Sequence, residues 1–225
     1  MRLMLCEEDK IWIGSRGGIG LSCFDTKSKK FTNYPYDINK KVNFVLAVSR
    51  KSPNELWVGS IGSSLMVFNT ETKKYSFFEY DTKLSSDLKS DIIFDITTDN
   101  QLNTWFSMKQ GISMYSENYQ LFRPDSLISP KVTNSLNFFE IWSIEEDSSS
   151  IYFGCSVADG LIIHDEKTGK QRLKRPAGLR PDETVYFYRM AKDSEGKTWI
   201  AALDQLPYFD PKKDSFTWVT PGYFG

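Results

Sequence analysis

Short apolar runs, each closed by a polar or glycine-bearing turn, recur along the whole chain. The first stretch contains Leu3-Met4-Leu5-Cys6, the polar turn Glu8-Asp9-Lys10, then Ile11-Trp12-Ile13-Gly14-Ser15. After Arg16-Gly17-Gly18, which supplies glycines for a positive-φ turn, come Gly20-Leu21-Ser22-Cys23-Phe24-Asp25, the polar hairpin Thr26-Lys27-Ser28-Lys29-Lys30 and the alternating Phe31-Thr32-Asn33-Tyr34. Runs of this length between turn residues predict four short strands, with lysines beside an edge strand, and no helix anywhere in the chain. The second and third strands read as nearly unbroken apolar runs, as expected of a sheet covered on both faces.

The order then repeats. Leu56-Trp57-Val58-Gly59-Ser60, Thr104-Trp105-Phe106-Ser107, Ile151-Tyr152-Phe153-Gly154 and Thr198-Trp199-Ile200-Ala201 are copies of Ile11-Trp12-Ile13-Gly14-Ser15, and their aromatic anchors are spaced by 45, 48, 47 and 47 residues. The hairpin after Asp25 returns after Asn69 and after Asp210. A period of this length is that of a four-stranded propeller blade. The chain is therefore predicted to be all-β, a single β-propeller domain over 1–225 of five four-stranded antiparallel blades, at about 1–36, 44–80, 91–123, 140–175 and 186–220. In blades four and five the first strand is expected at Ile141-Trp142-Ser143-Ile144 and Phe187-Tyr188-Arg189-Met190-Ala191. The repeat allows a closed small ring or an open arc of a larger propeller. One sheet alone would leave apolar faces wet, so the blades stabilise one another by stacking.

With 28 basic against 29 acidic side chains and a net charge of −1, no field draws in phosphate backbones or anionic lipid, so neither nucleic acid nor membrane is an expected partner. Cys6, Cys23 and Cys155 are odd in number, and Cys6 and Cys23 fall on the first and third strands of one blade, too far apart to join. Three free, mostly buried thiols are expected. The opening Leu3-Met4-Leu5-Cys6 imitates the end of a lipoprotein signal but runs straight into Glu7-Glu8-Asp9, and reads as a first strand. No apolar run approaches a membrane span.

His164 is the sole histidine, which excludes a histidine pair or triad. It aligns with Phe24, Phe68, Tyr115 and Phe209 at the end of the third strand and reads as a packing position. Asp193-Ser194-Glu195-Gly196 and Asp99-Asn100-Gln101 fall where each blade needs its first hairpin turn and lack the later acids of a calcium loop, so no metal is assigned. Gly14-Ser15-Arg16-Gly17-Gly18-Ile19-Gly20 is followed by a strand, offers an anion no helix N-terminus, and reads as a hairpin. No catalytic residue and no cofactor are assigned. Loops on one propeller face gather around the axis. Those between the second and third strands hold Arg16, Lys109, Gln110, Asp159, Asp204 and Gln205, and those entering each blade hold Tyr36, Asn39, Asn43, Asn137 and Tyr186. Amides, carboxylates and flat rings suit sugar hydroxyls and sugar faces, which makes these the candidate ligand-binding residues.

The turn Asp, the strand Ile-Trp-Ile-Gly-Ser, the following Gly-Gly, the aromatic-Asp pair and the closing Lys-Phe or Lys-Tyr together resemble the two-component regulator propeller repeat, and the likeness covers essentially the whole chain. It implies the extracytoplasmic, periplasmic sensor region of a hybrid histidine kinase that recognises an oligosaccharide and signals by conformational change, without enzymatic activity. Propellers of that family usually have seven blades, so the partners implied are the remaining blades and the kinase of a parent sensor, with a homodimer left open. The alternative is a non-catalytic protein-interaction scaffold in an envelope assembly. A propeller lyase or hydrolase ranks third, since the lone His164 weighs against a lyase of the kind found in streptogramin-inactivating propellers.

Overall fold

The computed structural model describes residues 4–15, 19–37, 44–62, 65–78, 92–109, 111–116, 121–124, 141–147, 149–155, 160–177, 185–202 and 206–219, the backbone alone for 121–124 and 155. These residues form twenty strands in five antiparallel four-stranded sheets. Blade one holds β1 (Met4–Cys6), β2 (Lys10–Gly14), β3 (Leu21–Asp25) and β4 (Lys30–Tyr34). Blade two holds β5 (Val45–Ser52), β6 (Glu55–Ser60), β7 (Leu65–Asn69) and β8 (Tyr75–Phe78). Blade three holds β9 (Ile93–Thr98), β10 (Asn103–Met108), β11 (Gly111–Ser116) and β12 (Leu121–Pro124), and blade four β13 (Ile141–Glu146), β14 (Ser150–Cys155), β15 (Leu161–Asp165) and β16 (Gln171–Lys174). Blade five holds β17 (Arg189–Lys192), β18 (Thr198–Ala201), β19 (Leu206–Asp210) and β20 (Ser215–Val219), so its first strand starts after the expected Phe187 and Tyr188. The first strands of blades two to five contact one another in turn, which places them innermost.

The anchors Trp12, Trp105, Tyr152 and Trp199 are each tied at the polar end by a hydrogen bond to an acid. Trp12 Nε1 donates to Glu7 at 3.0 Å, Trp105 Nε1 to Asp99 at 2.7 Å, Trp199 Nε1 to Asp193 at 2.7 Å, and the Tyr152 hydroxyl to Asp147. The same carboxylates accept turn amides: Asp99 from Gln101 and Asn103, Asp193 from Glu195 and Lys197, Asp147 from Ser149 and Ser150. These acids thus close the hairpins and orient the rings. Burial alone would raise the pKa of Asp147, but hydrogen bonds from Tyr152 and Ser149 outweigh it and hold the carboxyl below its ordinary range.

The ring then packs on the next blade. Trp12 meets Phe68 at 5.7 Å, Trp57 meets Tyr115 at 5.3 Å, Trp105 meets His164 at 6.2 Å and Tyr152 meets Phe209 at 6.0 Å between centroids. His164 is buried in this seam, and burial lowers its pKa, so it packs as a neutral ring. The glycine two residues past the anchor marks the closest approach: a Cβ on Gly59 would stand 2.7 Å from Ile93 Cγ2, and one on Gly154 3.1 Å from the Phe187 carbonyl oxygen.

Four apolar cores fill the seams between successive blades, and among the described residues no core joins blade five to blade one. Among the described residues the five sheets form an open arc. The consequence is visible in β2 and β18. In β6 and β10 every residue after the first is buried, whereas burial in β2 and β18 alternates, because among the described residues one face of each terminal sheet has no neighbour. Cys6 is exposed for the same reason: Leu5 packs toward blade two, so Met4 and Cys6 face the bare flank. The expectation of mostly buried thiols is corrected at that position, while Cys23 is free and buried, which pushes its thiol pKa up. The side chain of Cys155 lies outside the described residues.

Candidate functional site

The innermost strand of blades two to five carries an irregularity in the same place. In β5 the pairing with β6 skips Leu46, in β9 the pairing with β10 skips Phe94, and in β13 the pairing with β14 skips Trp142. Two residues therefore stand against one: Leu46 and Ala47 against Gly59, Phe94 and Asp95 against Ser107, Trp142 and Ser143 against Gly154. In blade five Tyr188 N–H donates to the Ala201 carbonyl at 3.0 Å, and Arg189 pairs with that same residue. These are β-bulges, and a bulge re-aims side chains that a regular strand would bury.

In blades three and four both residues of the bulge lean toward the following blade. The second member makes a polar staple: Asp95 accepts the Ile144 N–H at 3.2 Å, and the Ser143 hydroxyl accepts the Met190 N–H at 3.0 Å. The first member builds a row of rings. Phe94 stacks on Trp142 at 4.8 Å and 8°, Trp142 meets Tyr188 edge-on at 5.5 Å and 88°, and Tyr188 stacks on Tyr186 at 6.0 Å and 13°. The row crosses three blades and ends on Tyr186, which is 38% exposed. Among the described residues the buried indole Nε1 of Trp142 has no acceptor, and next to Tyr188 in the chain stands the partly buried Arg189, whose pKa burial pulls down to about 10.

Three of the candidate binding residues are described. Tyr186 ends the ring row. Lys109 is exposed at the same end of blade three, where its N–H reaches the Ile92 carbonyl at 3.4 Å just before β9. Tyr36 is spent on the seam between blades one and two, its hydroxyl accepting the Phe44 N–H at 3.2 Å and its ring 6.3 Å from Tyr75. Arg16, Asn39, Asn43, Gln110, Asn137, Asp159, Asp204 and Gln205 lie outside the described residues. Phe94, Trp142, Tyr188 and Arg189 were absent from the sequence-derived set, although Phe94, Trp142 and Tyr188 follow one another at 48 and 46 residues, in step with the anchors.

The architecture has solved counterparts. The extracellular domain of the hybrid two-component system BT3049 from B. thetaiotaomicron superposes with a TM-score of 0.74 at 19% identity, over 95% of this chain and 29% of that one. That of the hybrid two-component system BT4673 from B. thetaiotaomicron superposes with a TM-score of 0.77 at 13% identity, over 99% of this chain and 27% of that one. This chain has the propeller fold of extracellular two-component sensor domains. Histidine kinase P4 of Formosa agariphila is 22% identical over 110 residues, 48% of this chain and 8% of the kinase. No protein-family model matches the chain. It spans less than a third of the length of each of these relatives. Both of these structures are extracellular domains, and among the described residues no helix is long and apolar enough to cross a membrane.

Proposed function

We propose that residues 1–225 act as one ligand-sensing domain of an extracytoplasmic, periplasmic sensor, which recognises an oligosaccharide and transmits the event as a change in blade packing to a kinase. The observation that carries this reading is the ring row, in which Trp142, Tyr188 and Tyr186 are partly exposed and Phe94 is buried beneath Trp142. Flat rings stack on the C–H faces of sugars, and a row of them follows several sugar units in succession. Tyr186 and Lys109 contribute at the rim, and Arg16, Gln110, Asp159, Asp204, Gln205, Asn39, Asn43 and Asn137 supply the hydroxyl-binding groups. Because the row belongs to three blades, a ligand along it favours one relative setting of those blades over others, and a population shift transmits the event without a bond being made or broken. The remaining blades of the parent sensor and its kinase are the partners, and the domain itself is not an enzyme.

A titration with neutral and acidic oligosaccharides, followed by tryptophan fluorescence, tests the reading. Binding that quenches emission and is lost in Trp142→Ala supports it. Silence across the panel, with the circular dichroism of a folded β protein, contradicts it. The bare flank of blade five, where Leu206 is 43% exposed beside Trp199 and Tyr208, favours protein docking as the second reading. Binding that is lost in Trp199→Ala and kept in Trp142→Ala distinguishes it.

A further inference from the structure

Blade three departs from the repeat at two positions, and the two face each other. At the second position of the bulge it carries Asp95, where blades two, four and five carry Ala47, Ser143 and Arg189. Two residues past the anchor it carries Ser107, where blades one, two and four carry Gly14, Gly59 and Gly154 and blade five carries Ala201. Asp95 and Ser107 are partners in the pairing of β9 with β10, so their side chains share one face of the sheet. That face looks at blade four: Trp105, two residues before Ser107, and Ile112, paired with Ser107, both belong to the core of that seam, and Asp95 reaches Ile144 across it.

The Ser107 hydroxyl is fully buried and has no hydrogen-bond partner, while the buried carboxylate opposite accepts the N–H groups of Ile144 and Ile96. An idle buried donor is destabilising, and three other blades fill this position with glycine. Facing a carboxylate, the hydroxyl is a donor in reserve. If blade four moves off, the Ile144 N–H is withdrawn, and rotation of the Ser107 side chain supplies Asp95 with a replacement from its own sheet. We propose that Asp95 and Ser107 form a two-position latch on the seam between blades three and four: engaged, Asp95 holds the Ile144 N–H; released, it holds the Ser107 hydroxyl. One acceptor with two alternative donors gives the seam two discrete settings, as a signal carried by blade packing requires. The ring row lies beside the latch, since Phe94 precedes Asp95 and stacks on Trp142, two residues before Ile144. Control of the latch by a bound saccharide rests on the oligosaccharide reading above; the latch itself does not.

Amide hydrogen exchange of the unliganded 225-residue protein, followed by NMR, tests this. The released position frees the Ile144 N–H, so Ser107→Ala, which takes away the reserve donor, should slow exchange at Ile144 about fivefold or more. Met190, held by Ser143 in the next seam, should stay within about twofold of its original rate. In an Asp95→Ala background, shown folded by its melting curve, Ser107→Ala should change Ile144 exchange by about twofold or less, because the acceptor that both donors share is gone. Exchange at Ile144 that is unchanged or faster in Ser107→Ala overturns the latch. So does a slowing that Met190 shares, which is what relief of an ill-fitting core hydroxyl alone would give, and so does an undiminished effect in the Asp95→Ala background. Because no ligand is added, failure of the latch leaves oligosaccharide recognition standing, and a silent saccharide titration leaves the latch standing.

Discussion

In the seam between the first two blades Trp12 is 1% exposed and its ring meets Phe68 of the neighbouring blade, whereas on the outer flank of blade five Trp199 is only partly buried and turns to Tyr208 of its own sheet, 5.1 Å away. At the other end Phe24, the counterpart of Phe68, pairs with Phe31 of its own sheet at 4.7 Å, and Phe31 is 63% exposed. Trp199 and Phe24 are the two halves of a seam that is not made. The hydrogen bond from the anchor ring to the turn acid survives at the bare end, since Trp199 still donates to Asp193. Turn closure is therefore a property of a single blade, and burial of the anchor a property of a pair.

That difference predicts unequal costs for equivalent substitutions. The largest effect is expected for Trp57→Ala, because Trp57 meets Phe106 and Tyr115 across the seam as well as Phe78 of its own blade. A loss of about 3–5 kcal/mol in urea unfolding is the usual range for a buried tryptophan, and Trp199→Ala should cost less than half as much. Equal losses would mean that the seams contribute little. Gly59→Ala comes next. Its new methyl meets Ile93 of the next blade, and overpacking of this kind costs about 1–3 kcal/mol. Pairing it with Ile93→Val should recover part of the loss, and no recovery would show that the strain lies elsewhere.

Asp95→Ala removes the acceptor for the Ile144 N–H and for Ile96 N–H at 3.1 Å, and leaves buried donors unsatisfied. About 1–3 kcal/mol is expected, with the amide of Ile144 gaining hydrogen exchange ahead of amides in blade two. The smallest effect belongs to His164→Phe. Burial lowers the pKa of His164 in the fold, so below about pH 6.5 the unfolded chain takes up the proton more readily and stability falls. The phenylalanine that blades one, two and five use at this position removes that loss. Its gain in melting temperature should be larger near pH 5 than near pH 8, and below about 1 kcal/mol. A gain independent of pH would assign it to packing alone.

The anchors, the hairpins and the packing role of His164 were legible because each repeats as a residue type at a fixed distance: the Asp25 hairpin, for instance, needs only an acceptor for the amides of Lys27 and Ser28, and Asn69 and Asp210 supply it again. The ring row was not legible. Ile141-Trp142-Ser143-Ile144 reads as an ordinary strand, and only the skipped pairing turns Trp142 away from the sheet. A bulge leaves no mark on composition or alternation when the strand is apolar on both faces. Closure was illegible for another reason: the repeat describes a blade and its neighbour, and says nothing of how many blades there are. Tyr36 shows the limit for loops, because a residue type suited to sugars is equally suited to fastening a seam.

The central claim is that ligand meets the bulged ring row and not the bare flank. Replacing the six tryptophans with 5-fluorotryptophan gives one ¹⁹F resonance each for Trp12, Trp57, Trp105, Trp142, Trp199 and Trp218, assignable by single Trp→Phe variants. Titration with an oligosaccharide that binds should move the Trp142 resonance first and furthest, with Trp12 and Trp57 nearly still. A spectrum in which Trp199 moves while Trp142 stays fixed would contradict the account.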